Sequence, residues 1–307
     1  MREGEDFLPI THHLLHVTEM KNELIEGLKE ALRRAATVLP ADVVRALEAA
    51  RDREEGPARV QLEAILENVA LAREKGVPIC QDTGTQTFFV RVGTKFPYLD
   101  ELREAIPEAV RRATEEVPLR PNTVHPFTRK NPGDNTGRFI PYITWELVPG
   151  DSAEIHLLPK GGGSENCCKL VLLTPAKGIP GVKRAVVEHI AACRGLPCPP
   201  TVVGVGIGGG ADLSLKLGKL ALLRPVGTRH PEPEVAALEE ELAGMINALG
   251  VGPMGLGGKT TVLAVHIEYA HRHPASFPLG IVVQCWADRR AHVLISPKGE
   301  ISVTGDA

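Results

Sequence analysis

The side chains with the most distinctive chemistry in this 307-residue chain are six cysteines: Cys80, Cys167, Cys168, Cys193, Cys198 and Cys285. A thiolate is both a nucleophile and a soft metal ligand. The six are scattered along a long chain, unlike the dense framework of a small disulfide-stapled domain, which suits reduced thiols in a reducing compartment. None of them forms a CxxC pair. A zinc ribbon is therefore not expected, and any shared metal needs ligands that the fold brings together from distant segments. Cys193 ends AVVEHIAAC, a helical pattern, and is expected in the core. The adjacent Cys167 and Cys168 are expected at a buried helix start and are the rivals for any ligand role.

The elements that must position these thiols can be read from periodicity. Apolar residues from Met20 to Ala50 recur every three or four positions and are interrupted at Pro40, which predicts two amphipathic helices; a third is expected near Val60 to Arg73. PICQDTGTQTFFVRVG reads as a turn-rich loop entering a strand at Thr87 to Val92, so Cys80 sits on a loop just before a strand. Tyr98 to Glu116 returns to helical periodicity. Leu119 to Arg138 is polar and rich in Pro, Asn and Gly, an irregular segment of the kind that carries function. Strands are expected at Ile140 to Val148 and Ala153 to Leu158. The loop LPKGGGSEN is expected to open a helix, Ile179 to Cys193 to form another, and TVVGVGIGGG to form a buried strand ending in a glycine turn. A charged helix over Pro231 to Leu249 precedes strands near Thr260 to Tyr269, Gly280 to Gln284 and Ala291 to Ser296, and a hairpin around Lys298 and Gly299. The fold class is α/β, with a helical N-terminal section over residues 1–76 and a mixed α/β body over residues 77–307, expected as one continuous domain.

Composition limits the function. At 43% hydrophobic and 24% charged residues the chain has the make-up of a globular enzyme. A net charge of −3 with no basic block, and only 4% aromatics for stacking bases, argue against a nucleic-acid partner. No apolar run is long enough for a membrane span and the N-terminus lacks a signal pattern, so the expected address is the cytoplasm.

Two glycine-rich loops imitate nucleotide sites. Gly204-x-Gly206-x-x-Gly209 follows an apolar strand and precedes a helical stretch, yet the acidic residue expected about 20 positions later is missing. The alternative is a tight turn that lets a helix approach a strand closely. GPMGLGGKTT carries Gly258, Lys259 and Thr260 like a phosphate loop, but the first glycine of that motif should stand at Pro253, which has no N–H to offer.

Several motifs in order carry a resemblance over nearly the whole chain. Cys80 in PICQDTGT, Cys198 in GLPCPP and Cys285 in QCWADRRA resemble the three cluster-ligand motifs of class I fumarases and the related L-tartrate dehydratases; KGGGSEN and HPASFPLG resemble other motifs of that family. The resemblance implies a [4Fe-4S] cluster on Cys80, Cys198 and Cys285 with one open iron, a Lewis acid able to help a hydroxyl leave without a redox step. The implied activity is that of a hydro-lyase: reversible hydration of fumarate to malate, with L-tartrate dehydration as the alternative. A non-catalytic metal- or nucleotide-binding accessory protein is the rival from another class.

The resemblance also implies substrate-facing residues. Gln81 and Asp82 follow the first ligand, and Asp82 would orient or protonate the leaving hydroxyl; an Asx turn is the structural alternative. Arg120 matches an arginine that contacts a substrate carboxylate. Gly161, Gly162, Gly163 and Ser164 can present backbone N–H groups to an anion, with Lys160 adding charge. His273 stands twelve residues before Cys285, as in the family pattern, and would hydrogen-bond a substrate oxygen. Asn135 matches a further motif. His266 and His271 are expected to be structural or exposed, and His12, His13 and His16 have no convincing metal spacing. Single-chain members continue into a second domain that holds further substrate groups, including the expected base. The implied partner here is a separate β subunit, in an α2β2 or similar heteromer, acting on a small dicarboxylate.

Overall fold

The structure, a computed structural model, describes residues 8–304, with side chains from Thr18 onward; the side chains of His12, His13 and His16 lie outside the described residues. The proline break predicts the start of the chain well. Helix α1 (Leu8–Thr37) ends before Pro40, which caps α2 (Ala41–Arg53), and α3 (Gly56–Lys75) closes on Gly76 at φ 63°. A left-handed closing residue is the common helix stop, and glycine takes it without a Cβ penalty. The remaining elements are β1 (Thr85–Gly93), α4 (Leu99–Glu116), β2 (Tyr142–Val148), β3 (Ala153–Lys160), the single turn α5 (Gly162–Glu165), β4 (Lys169–Leu173), α6 (Gly178–Cys193), β5 (Thr201–Gly209), α7 (Ala211–Ala221), α8 (Pro233–Asn247), β6 (Val262–Arg272), β7 (Phe277–Gln284), β8 (Ala291–Ile295) and β9 (Ile301–Thr304). The α/β class with a helical N-terminal section is therefore observed. Among the described residues no helix is long and apolar enough to cross a membrane.

The chain divides into two compact units built from interleaved segments. One takes the chain up to Thr37, Thr83–Pro159 and the chain from Arg290; the other takes Val38–Asp82 and Lys160–Arg289. The first holds a five-stranded sheet in the order β2-β1-β3-β8-β9, with β1 and β2 parallel and β3, β8 and β9 antiparallel. Its strands alternate as a one-sided sheet must. Ala153, Ile155 and Leu157 join Phe88, Val90 and Val293 against α1 and α4, while Glu154 and His156 face the other way.

The second unit holds a four-stranded sheet in the order β4-β7-β5-β6, in which only β5 and β6 run parallel. Val203, Val205, Ile281 and Val283 bury one face under α6 and α8. On the other face α7 lies almost on the backbone of β5. A Cβ added to Gly204 would stand 2.0 Å from the Gly218 carbonyl oxygen, and one added to Gly206 would stand 1.8 Å from that of Ser214. The glycine pattern thus serves close helix–strand packing, as its structural alternative predicts. A third apolar cluster joins α2 and α3 through Leu47, Leu62 and Ile65 to Ile79 and Ala287, and Cys285 and Trp286 pack against it.

The other glycine loop already has an anion. The backbone N–H of Lys259 donates to both Glu54 carboxylate oxygens at 2.8 and 2.9 Å, and that of Thr260 donates to one of them at 2.5 Å. Glu54 is buried. The side chain of Glu54, the residue that closes α2, therefore occupies the amides that a phosphate would need. One expectation is corrected: KGGGSEN opens only a single helical turn, and the chain then forms β4, an edge strand paired with β7. Three consecutive glycines disfavour helix, and KLVLL is too short for periodicity to choose its state.

Replacing Gly206 by Ala must push α7 off β5. We expect Gly206→Ala to lose about 1–3 kcal/mol of stability in chemical denaturation, while Gly244→Ala in α8, whose added Cβ meets nothing within 4 Å, is expected to gain about 0.5–1 kcal/mol from helix propensity.

Candidate active site

The site follows from the antiparallel register of β5 and β7. Val202, at the start of β5, pairs with Gln284, at the end of β7, so the residues just outside those ends meet. Those residues are Cys198 and Cys285. The Trp286 N–H donates to the Cys198 carbonyl at 3.1 Å and links the two loops directly. Cys198 has φ 55°, an uncommon value for a residue with a Cβ. Its N–H donates to the Gly195 carbonyl at 3.1 Å, and the Pro199 carbonyl accepts from Met254 N–H at 2.7 Å. The loop is fixed on both sides of the thiol.

Cys80 arrives from the end of α3. Asn68 on that helix donates its Nδ2 to the Ile79 carbonyl at 2.9 Å and pins the loop one residue before the thiol. The charge of Cys80 reaches Cys198, and that of Cys198 reaches Cys285. Burial raises the Cys198 pKa above the usual thiol value, and a negative Cys80 raises it further, with Cys167 adding to the effect. Burial also raises that of Cys285, with Cys198 adding to the rise; Arg289 and Lys160 oppose it as nearby positive charges. Cys80, Cys198 and Cys285 are each partly accessible. Three thiols converging from separate loops can ligate a metal group, with cations on one side to balance its charge.

Cys167 and Cys193 form a separate buried pair in the α6–α8 core. The Cys193 thiol is pushed up to about 12, first by burial and then by its neighbour Cys167. His189 Nε2 lies 2.7 Å from the Cys167 carbonyl and 3.6 Å from Cys193 Sγ. Both side chains pack in that apolar cluster, and burial there makes the Cys193 thiol unreactive.

Around the three-thiol site stands a polar shell. Gly162 N–H donates to Asp82 Oδ2 at 2.8 Å, so the carboxylate two residues after Cys80 is held by the first turn of α5. The glycines there leave it room, since a Cβ on Gly161 would stand 3.1 Å from the same oxygen. Gly162, Gly163 and Gln81 are exposed. Lys160 is buried and donates from Nζ to Ser164 Oγ at 2.7 Å, and Ser164 Oγ lies 3.4 Å from Gln284 Oε1. Burial lowers the Lys160 pKa, while the charges of Cys168, Glu165 and Cys285 oppose that. Arg289, four residues after Cys285, is fully buried, and its Nε and Nη1 have no hydrogen-bond partner among the described residues. The arginine pair in QCWADRRA, beside the cysteine of that motif, is the signal in the sequence that points to Arg289.

Of the other expected residues, Arg120 and Asn135 belong to the first unit and His266, His271 and His273 to the second. Asn135, buried with φ 58°, accepts from Asn122 N–H at 2.7 Å and donates to the Arg120 carbonyl at 3.0 Å. It locks the irregular segment of the first unit and fixes the backbone of Arg120, whose side chain is exposed. His273 lies in the turn before β7, and its Nδ1 accepts from Ala275 N–H at 3.1 Å. Cys285 follows the opposite end of that strand, so about 23 Å of extended chain separates them. His266 is buried with Nδ1 beside the Ala221 carbonyl at 3.2 Å, and His271 is exposed.

Comparison with known proteins assigns the class. The family described as fumarate hydratase (Fumerase) matches residues 25–294. A protein named putative L(+)-tartrate dehydratase subunit alpha from Methanocaldococcus jannaschii is 51% identical over 267 residues, covering 85% of this chain and 94% of the relative. The L(+)-tartrate dehydratase subunit alpha of Escherichia coli O157:H7 is 40% identical over 276 residues, covering 89% and 91%, and that of Escherichia coli strain K12 is 39% identical over the same shares. The chain belongs to the fumarate hydratase family, and its chemistry is that of a hydro-lyase.

The thiol environments predict different reactivities. Iodoacetamide at pH 8, followed by peptide mass spectrometry of the folded, metal-free chain, is expected to label Cys80 and to spare Cys193, whose labelling begins only as the pH nears 12 or the chain unfolds.

Proposed function

We propose that this chain is the cluster-bearing α subunit of a hydro-lyase that reversibly hydrates fumarate to malate, with a β subunit completing the site in an α2β2 or similar heteromer in the cytoplasm. The observation that carries this reading is the convergence of Cys80, Cys198 and Cys285 beside a buried, incompletely paired Arg289. Three thiolates around an iron-sulfur cluster form an anionic group, and a buried guanidinium with unused donors is the complement it needs. The donor set therefore fits a [4Fe-4S] cluster with one open iron. When bound, that iron supplies a Lewis acid for a substrate hydroxyl.

The chain's own residues supply orientation and proton handling. Asp82, held by the Gly162 N–H, orients the departing hydroxyl and carries the proton it needs. Gln81, the exposed Gly162 and Gly163 and the Arg120 guanidinium bind the dicarboxylate. The role of His273 is proposed for the assembly: β7 holds it far from Cys285 within one chain, so substrate contact has to come from a neighbouring chain. L-tartrate dehydration is the second reading, favoured by the names of the relatives. A single hydroxyl separates the substrates, and a few hydrogen bonds decide such a choice.

The test is anaerobic cluster reconstitution of the chain with its β subunit, then turnover of fumarate and L-tartrate on one sample. Iron-dependent turnover of either names the reaction, whereas a brown complex inert to both supports the accessory-protein reading instead. Iron and sulfide content is expected to collapse in Cys80→Ser, Cys198→Ser and Cys285→Ser and to persist in Cys193→Ser; loss in Cys193→Ser alone would overturn the ligand assignment. Asp82→Asn is expected to keep its iron and lose roughly 10²–10⁴-fold in kcat.

A further inference from the structure

The face of the five-stranded sheet turned away from α1 and α4 carries a second ligand constellation, one that contains no thiol. Strands β3 and β8 pair antiparallel with His156 directly opposite His292, so both imidazoles rise from one face. Their rings stack with centroids 4.5 Å apart and planes 20° apart. Glu154, two residues earlier on β3, shares that face by the period of the strand. Its Oε1 lies 3.2 Å from His156 Nε2 and 3.0 Å from His292 Nε2, and the three ligand atoms fall within 4.8 Å of one another.

We propose that Glu154, His156 and His292 bind one divalent transition-metal ion of the zinc type, as a cross-strand clip between β3 and β8. The distances argue for it. A tetrahedral shell with bonds of about 2.0–2.1 Å has ligand–ligand edges of about 3.3 Å, close to both carboxylate–imidazole separations, so small rotations of two rings suffice to admit the ion. Two imidazoles and a carboxylate suit zinc, and side-chain exposures of 23%, 17% and 32% leave an approach for the ion and a water as fourth ligand. The ligand carboxylate also has an outer partner. Arg91 on β1 donates to Glu154 Oε2 at 3.1 Å, which fixes the carboxylate and leaves Oε1 for the ion. All three ligands stand on strands of one sheet, a more rigid mounting than loops give. The competing occupant is a proton shared among the same three groups.

The proposal is independent of the cluster reading, and the test separates them. The full chain, purified and stripped of metal with a chelator, is titrated with cobalt(II) and then zinc. We expect one equivalent of cobalt with visible bands free of thiolate charge-transfer character, additional to any thiolate-type absorption that Cys80, Cys198 and Cys285 give, displaced by zinc, retained in Cys80→Ser and lost in both His292→Gln and Glu154→Gln. Zinc should raise the melting temperature of the parent chain and of Cys80→Ser by more than that of the His292 and Glu154 variants, since an ion bound only to the folded state stabilises it. Arg91→Met is expected to weaken zinc binding about 10- to 100-fold. If His292→Gln and Glu154→Gln bind cobalt and gain stability from zinc as the parent does, or if the only cobalt bands are of thiolate type and vanish in Cys80→Ser, the three groups hold a proton and the site is not a metal site.

Discussion

Antiparallel pairing of β5 with β7 is the constraint on which the candidate site depends. Because the strands run in opposite directions, the chain entering one and the chain leaving the other must meet at the same end of the sheet. That end places the Cys198 and Cys285 loops in direct backbone contact. The buried side chains that hold the register, Val203 and Val205 on β5 with Ile281 and Val283 on β7, lie under α6 and α8. A one-residue slip would turn this whole set to the other face, where α7 tolerates only glycine at two positions. The thiol geometry is therefore protected by the burial of residues that have no chemistry of their own.

A second theme is how the fold handles anions. Backbone amides in glycine-rich loops attract negative charge, and two such loops here are served by carboxylates of the same chain. Glu54 fills the amides of Lys259 and Thr260, and Asp82 takes that of Gly162. The first is buried and ties α2 to the loop before β6. The second stands two residues after Cys80 and has exposed glycines around it, so the same kind of interaction that fills one loop leaves the other open to solvent. Solvent access separates the two roles.

The two sheets divide the chemistry differently. The second unit gathers its polar groups at strand ends, where loops can move a side chain without disturbing the ladder. The first unit holds its histidine pair and Glu154 in mid-strand, where the pairing of β3 with β8 fixes their spacing. Loop sites can adapt to a bound group, whereas mid-strand ligands are set by the sheet before any ion arrives.

Much of this was legible in the sequence. The Pro40 break, the three N-terminal helices, the loop position of Cys80, the core position of Cys193 and the misleading character of both glycine loops all followed from local patterns, because proline geometry, helical periodicity and the need for a donor N–H act within a few residues. The family was legible through several motifs in order. Tertiary structure alone decided which carboxylate fills the Lys259 amides, that Arg289 and Lys160 are buried cations near Cys285, that KGGGSEN yields a single turn before an edge strand, and that His273 stands at the far end of β7 from the thiols. It also decided that Glu154, His156 and His292 meet, since cross-strand pairing joins residues far apart in the chain and no local pattern encodes register. Local sterics are written in neighbouring residues, but the convergence of distant side chains is fixed only when the sheets and their cores form together.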